Sequence, residues 1–297
     1  MSKTKAFLQL MRPANIVTAV SDVLAGITIS GFFFNSHFDL NNTQPVLLLC
    51  LSTIGLYGGG VVFNDVFDAE LDSIERPERP IPRGIVTKKE ASILGAILLL
   101  MGIISGFAWT IVSGFIATVI TIAALVYDKW GKHHPVAGPL NMGLCRGLNL
   151  LLGVSILPVE LTNWWYIALV PILYIASITM ISHGEVHGGN KNLLYLACLF
   201  YILVIGAIFS FAVVNKGSLL ITGIFLAVFA VMIFNPLLKA IRNPAGKNIG
   251  KAVKAGVIGL ILMNASWASA SNELYFALMI AILLPVSIVL AKIFAVT

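Results

Sequence analysis

Residues 45–62 read PVLLLCLSTIGLYGGGVV, and residues 63–84 continue FNDVFDAELDSIERPERPIPRG. The first stretch carries no charge, while the second sets Asp65, Asp68 and Asp72 beside Arg76, Arg79 and Arg83. An apolar run of this length, with its flanks, approaches the roughly 20 residues that cross about 30 Å of hydrocarbon. The charges then mark the place where the chain returns to water.

The same kind of apolar window recurs along the chain. Ten segments are expected, at about 14–34, 45–63, 91–112, 114–127, 137–157, 164–182, 192–214, 217–238, 248–268 and 272–293. Segment 114–127 is short, and segment 248–268 opens on Lys251 and Lys254, so nine to ten spans are expected. Of the 297 residues 58% are hydrophobic and only 11% charged, against about 25% charged in soluble domains. The mean hydropathy is +0.95. Segments that are continuously apolar rather than alternating argue against a β-barrel. The expected fold is therefore all-α, a polytopic transmembrane helical bundle forming one domain over residues 1–297.

A net charge of +6 does not point to nucleic acid here, because the basic residues sit in short loops between apolar segments. With a cytoplasmic N-terminus and ten crossings, all of the 19 basic residues except Lys216 and Arg146 fall on the cytoplasmic side, as the positive-inside rule requires. A multi-pass protein of the cell inner (plasma) membrane is expected. Trp164, Trp165 and Tyr166 suit an aromatic belt at the opposite interface. Lys3, Lys5 and Arg12 precede the first apolar run as in a secretory leader, but no persuasive small-residue cleavage site follows, so that run reads as the first span. Cys50, Cys145 and Cys198 lie in separate apolar segments and read as reduced, buried thiols. The long polar connections, 64–90, 128–136, 183–191 and 239–248, share one face, where chemistry on a polar substrate belongs.

If the second helix runs on past Val62, Asn64, Asp68 and Asp72 recur at i, i+4 and i+8, and Asp65 joins from the same face. Carboxylates packed so closely repel one another near low dielectric. A divalent cation removes that repulsion, and Mg²⁺ suits hard oxygen ligands that leave room for waters and substrate phosphates. RPERPIPRG then offers Arg76, Arg79 and Arg83 on a proline-stiffened loop able to grip phosphate. The competing reading is a solvated helix end in which Asp72 and Glu75 pair with Arg76 and Arg79.

These residues resemble the UbiA prenyltransferase superfamily. Its NDxxDxxxD pattern is matched by Asn64, Asp65, Asp68 and Asp72, its RPxPxG continuation by residues 79–84, and its early RPxN element by residues 12–15. The resemblance implies helices around a central cavity, with two aspartate-rich motifs facing each other across it. It also implies Mg²⁺ bridging both motifs to an isoprenyl diphosphate, and a side opening to membrane lipid. The implied reaction is transfer of the isoprenyl group to a small acceptor, commonly aromatic.

The second motif departs from that pattern. Where another carboxylate cluster is expected, the chain reads SHGEVHGGNK over residues 182–191, which is similar to the EboC-like branch. Glu185 is the surviving carboxylate, so Asp65, Asp68, Asp72 and Glu185 are the expected catalytic and metal-binding set. His183, His187, Asn190 and Lys191 are expected to face the diphosphate, since protonated imidazole or lysine can neutralise it without a second metal. A zinc site at His183 and His187 and a glycine-rich helix cap are the alternatives.

Within the apolar segments, Asn15, Thr18 and Asp22 share one helical face, and Arg146 and Asn149 another. A charge in hydrocarbon is expensive, so Asn15, Asn141, Arg146 and Asn149 are expected to line the polar cavity, with Asp22 a partner for Arg146 or a contact for the acceptor. A purely structural Asp22–Arg146 bridge is the competing reading. Tyr57 has two readings, a cavity face that stabilises a cation and, preferred, packing. The resemblance implies that Lys129, which with Tyr127 and Asp128 matches a tyrosine-and-basic element of the family, lies near the substrate. Two function classes remain open: an Mg²⁺-dependent intramembrane prenyltransferase, or a relative that binds a lipid or metabolite without turning it over. A channel or secondary transporter has no obvious use for the acidic motif and its arginine loop.

Overall fold

The computed structural model describes residues 2–33, 40–131, 134, 136–182, 184–185 and 188–294. Every helix and strand assignment among them is helical. A short α1 (Lys3–Met11) leads into α2 (Pro13–Ile29), α3 (Leu40–Phe67) and α4 (Ala69–Glu75). Then come α5 (Lys88–Trp109), α6 (Ile111–Lys129), α7 (Ala137–Val154), α8 (Leu161–Trp164) and α9 (Leu169–Ser182). The chain closes with α10 (Lys191–Val214), α11 (Leu219–Arg242), α12 (Gly246–Ala270) and α13 (Leu274–Ile293).

Each of the ten apolar segments corresponds to a helix. Eight spans are long and apolar enough to cross a membrane by length and composition, α8 and α9 forming one of them. The two others are α2, 17 residues long, and α7. They carry Asn15, Asp22, Arg146 and Asn149, and all four side chains are buried. Capping chemistry sets several boundaries. Ser2 caps α1 by accepting from the Lys5 N–H, and Thr87 and Glu90 close a reciprocal capping box on α5. Arg12 takes the left-handed conformation, φ 50°, and Pro13 opens α2 directly after it.

α2 and α7 lie against each other without intervening side chains. A Cβ on Gly153 would fall 2.1 Å from the Val23 carbonyl oxygen, and one on Gly26 would fall 2.1 Å from that of Leu150. Between lipid-solvated helices, where apolar burial gains little, close approach of this kind supplies the packing. One apolar cluster surrounds Tyr174, Tyr201, Phe229 and Trp267; another joins Val23 and Ile27 to Leu49, Leu56, Ile120 and Leu152. α13 lies across α2 and α12, with Phe276 stacked on Phe33 at 3.7 Å and the Ser287 hydroxyl donating to the Ala14 carbonyl at 3.1 Å.

The acidic stretch does not continue α3 unbroken. α3 stops at Phe67, Asp68 sits at the break, and α4 restarts at Ala69. Backbone bonds from Asp68 N to Asn64 O (3.0 Å) and from Asp72 N to Asp68 O (2.7 Å) still preserve the helical register.

Candidate active site

A chamber of about 560 Å³ opens among α2, α3, α4, α6, α7, α9 and α12. One end is charged. Arg12, Asn64, Asp68, Asp72, Arg76 and Arg79 line it from one side, Asp128 from α6, and Glu185 from the loop after α9. The middle wall is apolar, with Val61, Ile120, Ala124, Ile175, Ile178 and Val257. Thr53, Tyr57, Arg146 and Asn149 line the remaining polar part, on turns of α3 and α7 away from the acidic motif.

At the mouth, carboxylates and guanidinium groups are already paired. Arg79 Nη1 donates to Asp72 Oδ2 at 2.6 Å and to Asp65 Oδ1 at 3.2 Å, and Arg12 Nη2 donates to the same Asp65 oxygen at 2.8 Å. Asp65 and Asp72 are each only 5% exposed. The solvated-helix-end reading is met only in part: an Asp72–Arg79 pair exists, but it is part-buried rather than solvated. Asn64 Nδ2 donates to Asp128 Oδ1 at 2.9 Å, tying α3 to α6 across the chamber. Glu185 lines the same chamber from the loop after α9. Its Oε1 is buried with no hydrogen-bond partner among the described residues. Burial pushes the Glu185 carboxyl up from its ordinary value, and the Arg76 charge opposes that shift.

The inner polar group is one connected network. Arg146 donates to Asp22 Oδ2 (2.5 Å) and to Thr18 Oγ1 (2.6 Å). Asn149 Nδ2 donates to Ala19 O and Asp22 Oδ2, and its Oδ1 accepts from Thr53. Asn264 of α12 donates to Asp22 Oδ1 at 2.7 Å. The Arg146 guanidinium lies 4.9 Å from the Tyr57 ring centroid, within cation–π range.

A family model described as the UbiA prenyltransferase family matches residues 24–252, most of the chain. This chain belongs to the UbiA prenyltransferase family. It is 34% identical over 158 residues to digeranylgeranylglyceryl phosphate synthase of Methanosarcina mazei, covering 51% of this chain and 55% of that protein. The chain thus spans about half the length of the curated relatives it matches. Its fold is similar to that of a UbiA homolog from Aeropyrum pernix K1, with a TM-score of 0.69 at 17% identity, covering 84% of this chain and 96% of that one. It also resembles a UbiA homolog from Archaeoglobus fulgidus solved bound to GPP and Mg²⁺, with a TM-score of 0.61 at 16% identity, covering 84% and 99%. At such identities the two structures speak for the fold alone.

Several residues expected at a UbiA-type site lie elsewhere. Asp65 is not on the chamber wall; Arg12 and Arg79, which are, hold its carboxylate. Asn141 turns to α6, donating to the Ala123 carbonyl at 3.2 Å; five residues before Arg146, it sits about 140° around the helix from it. Lys129 is exposed and lies over the Trp130 ring at 4.6 Å. Arg83 is exposed, beyond the proline turn that places Arg79. Asn190 caps α10, accepting from Asn192 N at 2.9 Å, and Lys191 is exposed in the first turn of that helix. His183 and His187 lie outside the described residues. Tyr57 lines the chamber, the less favoured of its two readings, and so does Cys145; the three cysteines are half-buried and unpaired. The sequence reading also missed Asn264 and did not single out Arg12 as a site residue, although Arg12 opens the RPxN element.

The donor set fits a hard cation. Among the described residues no three His, Cys, Asp or Glu side chains stand close enough to hold a metal by themselves. Mg²⁺, however, is commonly held by one or two carboxylates together with substrate phosphates and waters. Asp68 and Asp72 on one side and the orphaned Glu185 oxygen on the other supply that kind of incomplete oxygen set.

Proposed function

We propose that this protein transfers an isoprenyl group from an isoprenyl diphosphate to a small acceptor, with Mg²⁺ required. The observation that carries this reading is the sharing of one chamber by Asp68 and Asp72 at the α3–α4 break, Glu185 from the loop after α9, and Arg12, Arg76 and Arg79, with an apolar wall beyond them. A diphosphate fits the charged rim and a hydrocarbon the wall beneath it. Asp68, Asp72 and Glu185 would hold Mg²⁺, which supplies charge neutralisation to the diphosphate when bound. Arg76 and Arg79 donate to phosphate oxygens in the bidentate manner that suits guanidinium. The allylic C–O bond breaks with its electron pair leaving on the diphosphate. The acceptor's nucleophilic atom bonds to the freed carbon and sheds a proton. Charge stabilisation of the leaving group by groups fixed in advance is the main contribution of such a rim.

The acceptor is small and, by the resemblance, aromatic; the relatives named digeranylgeranylglyceryl phosphate synthase make a glyceryl phosphate lipid the other acceptor to test. A second reading, binding without turnover, draws support from the pairing of Asp65 and Asp72 with arginines and from the single carboxylate on the α9 side. One experiment separates the two. The full chain in nanodiscs is incubated with geranyl, farnesyl and longer diphosphates, with and without Mg²⁺, and released pyrophosphate is measured. Mg²⁺-dependent release that disappears in Asp68→Asn and Glu185→Gln, both still membrane-inserted, is expected. Tight binding of the diphosphates with no release in either aromatic or glyceryl phosphate acceptor mixtures would leave the binding reading standing.

A further inference from the structure

Arg79 occupies Asp72, one of the carboxylates that a cation would need, and shares Asp65 with Arg12. Asp65 Oδ1 accepts from both Arg12 and Arg79, and Arg79 extends to Asp72. The two carboxylate side chains are 7% exposed and the two arginine side chains 14% and 13%. The arginines line the chamber and Asp65 does not, so the guanidinium groups stand between that carboxylate and any ligand.

Competition follows from this geometry. Arg79 Nη1 already donates to Asp72 Oδ2, a carboxylate of the proposed cation set with Asp68 and Glu185, so Mg²⁺ reaches that oxygen by displacing the guanidinium. A diphosphate added alone meets an Arg79 whose charge Asp65 and Asp72 already balance. When both arrive, the cation takes Asp72 and the released Arg79 meets the diphosphate, so each ligand clears the way for the other. Both arginines sit where a change of partner is mechanically open. Arg12 lies at the left-handed junction between α1 and α2, and Arg79 in the loop after α4.

We propose that Arg79, assisted by Arg12, is a positioning residue that exchanges partners, holding Asp65 and Asp72 in the empty protein and passing to the diphosphate when the cation takes Asp72. The inference rests on the prenyltransferase reading. It makes cation and diphosphate bind with positive coupling, and that coupling runs through the Arg79 side chain.

The test uses binding, not turnover. Mg²⁺ alone is titrated calorimetrically into the full chain in nanodiscs. Geranyl diphosphate is titrated separately in EDTA. Arg79→Gln should tighten Mg²⁺ by about tenfold, a typical coupling factor, and should weaken geranyl diphosphate. Arg79→Lys should restore the wild-type order of both affinities. A side chain that merely holds the fold would weaken both ligands together, and that outcome, or an unchanged Mg²⁺ affinity, overturns the proposal. If Arg79→Gln does not fold, Arg12→Gln decides, with the same opposite shifts expected at smaller size. Pyrophosphate release by the wild type tests the parent reading separately. Release with parallel shifts ends the exchange alone, and no release ends the parent reading.

Discussion

Glu185 carries a burial cost that no hydrogen bond from a described residue relieves at one of its oxygens. Burial raises the carboxyl from its ordinary 4.5 despite the Arg76 charge. A folded-state value above the unfolded one means that the folded protein holds this proton more tightly. The associated stability is fully present below the unfolded value and is lost as pH rises through the folded one. The ligand-free protein should therefore lose stability as pH climbs from about 4.5 toward neutrality at this site. Glu185→Gln should flatten that part of the profile and slightly raise the melting temperature at pH 7 while removing Mg²⁺-dependent pyrophosphate release. Thermal unfolding across pH in ligand-free nanodiscs checks it; an unchanged slope in the variant would mean that the carboxylate is solvated. At this scale the sequence was informative wherever spacing decided the face. Asn64, Asp68 and Asp72 follow the helical period, and all three reach the chamber. Arg83 and Lys191 share the chemistry of a phosphate ligand, but their direction depends on a loop and a helix start that composition does not determine.

At the scale of elements, the meeting of α2 and α7 decides whether the inner polar network exists. Gly26 and Gly153 let the two backbones touch, which brings Asp22 and Thr18 within reach of Arg146 and Asn149. A methyl group at Gly153 meets backbone, not a side chain that could turn away, so the helices must separate. Gly153→Ala should destabilise the protein by about 1–3 kcal/mol, the usual range for overpacking. Gly223→Ala, where nothing lies within 4 Å, should be neutral. Equal melting temperatures for these two variants in the same detergent would show that the crossing is looser than described. The helices themselves were legible because their apolar windows are long. The partners were not. Asn264 reads as one polar residue in an apolar helix, and its contact with Asp22 spans 242 residues of sequence. Asn141 shows the same limit from the other side: near Arg146 in sequence, it points about 140° away and secures α6 instead.

At the scale of the molecule, charge distribution predicts orientation. Glu185 and Glu273 bound a stretch without a single acidic residue, within which Lys191, Lys239, Arg242, Lys247, Lys251 and Lys254 all belong to helix ends or connections on the chamber-mouth side, and Lys216 alone belongs to the other. Lys and Arg bias near span ends sets topology, so the mouth, and with it the acidic motif, should face the cytoplasm. That placement would suit the proposed transfer, whose water-soluble diphosphate leaving group would depart into the compartment that the rim faces. Single cysteines in a background lacking Cys50, Cys145 and Cys198 make the orientation measurable. Ser73, in α4, and Asn163, in α8, are both exposed and lie at opposite ends of the bundle by the order of spans. A membrane-impermeant maleimide applied to intact cells should label Asn163→Cys and should reach Ser73→Cys only after permeabilisation. The reverse pattern would put the chamber mouth outside the cell, where the basic surface opposes the rule that sets topology and the diphosphate rim faces the wrong compartment for a cytoplasmic isoprenyl donor.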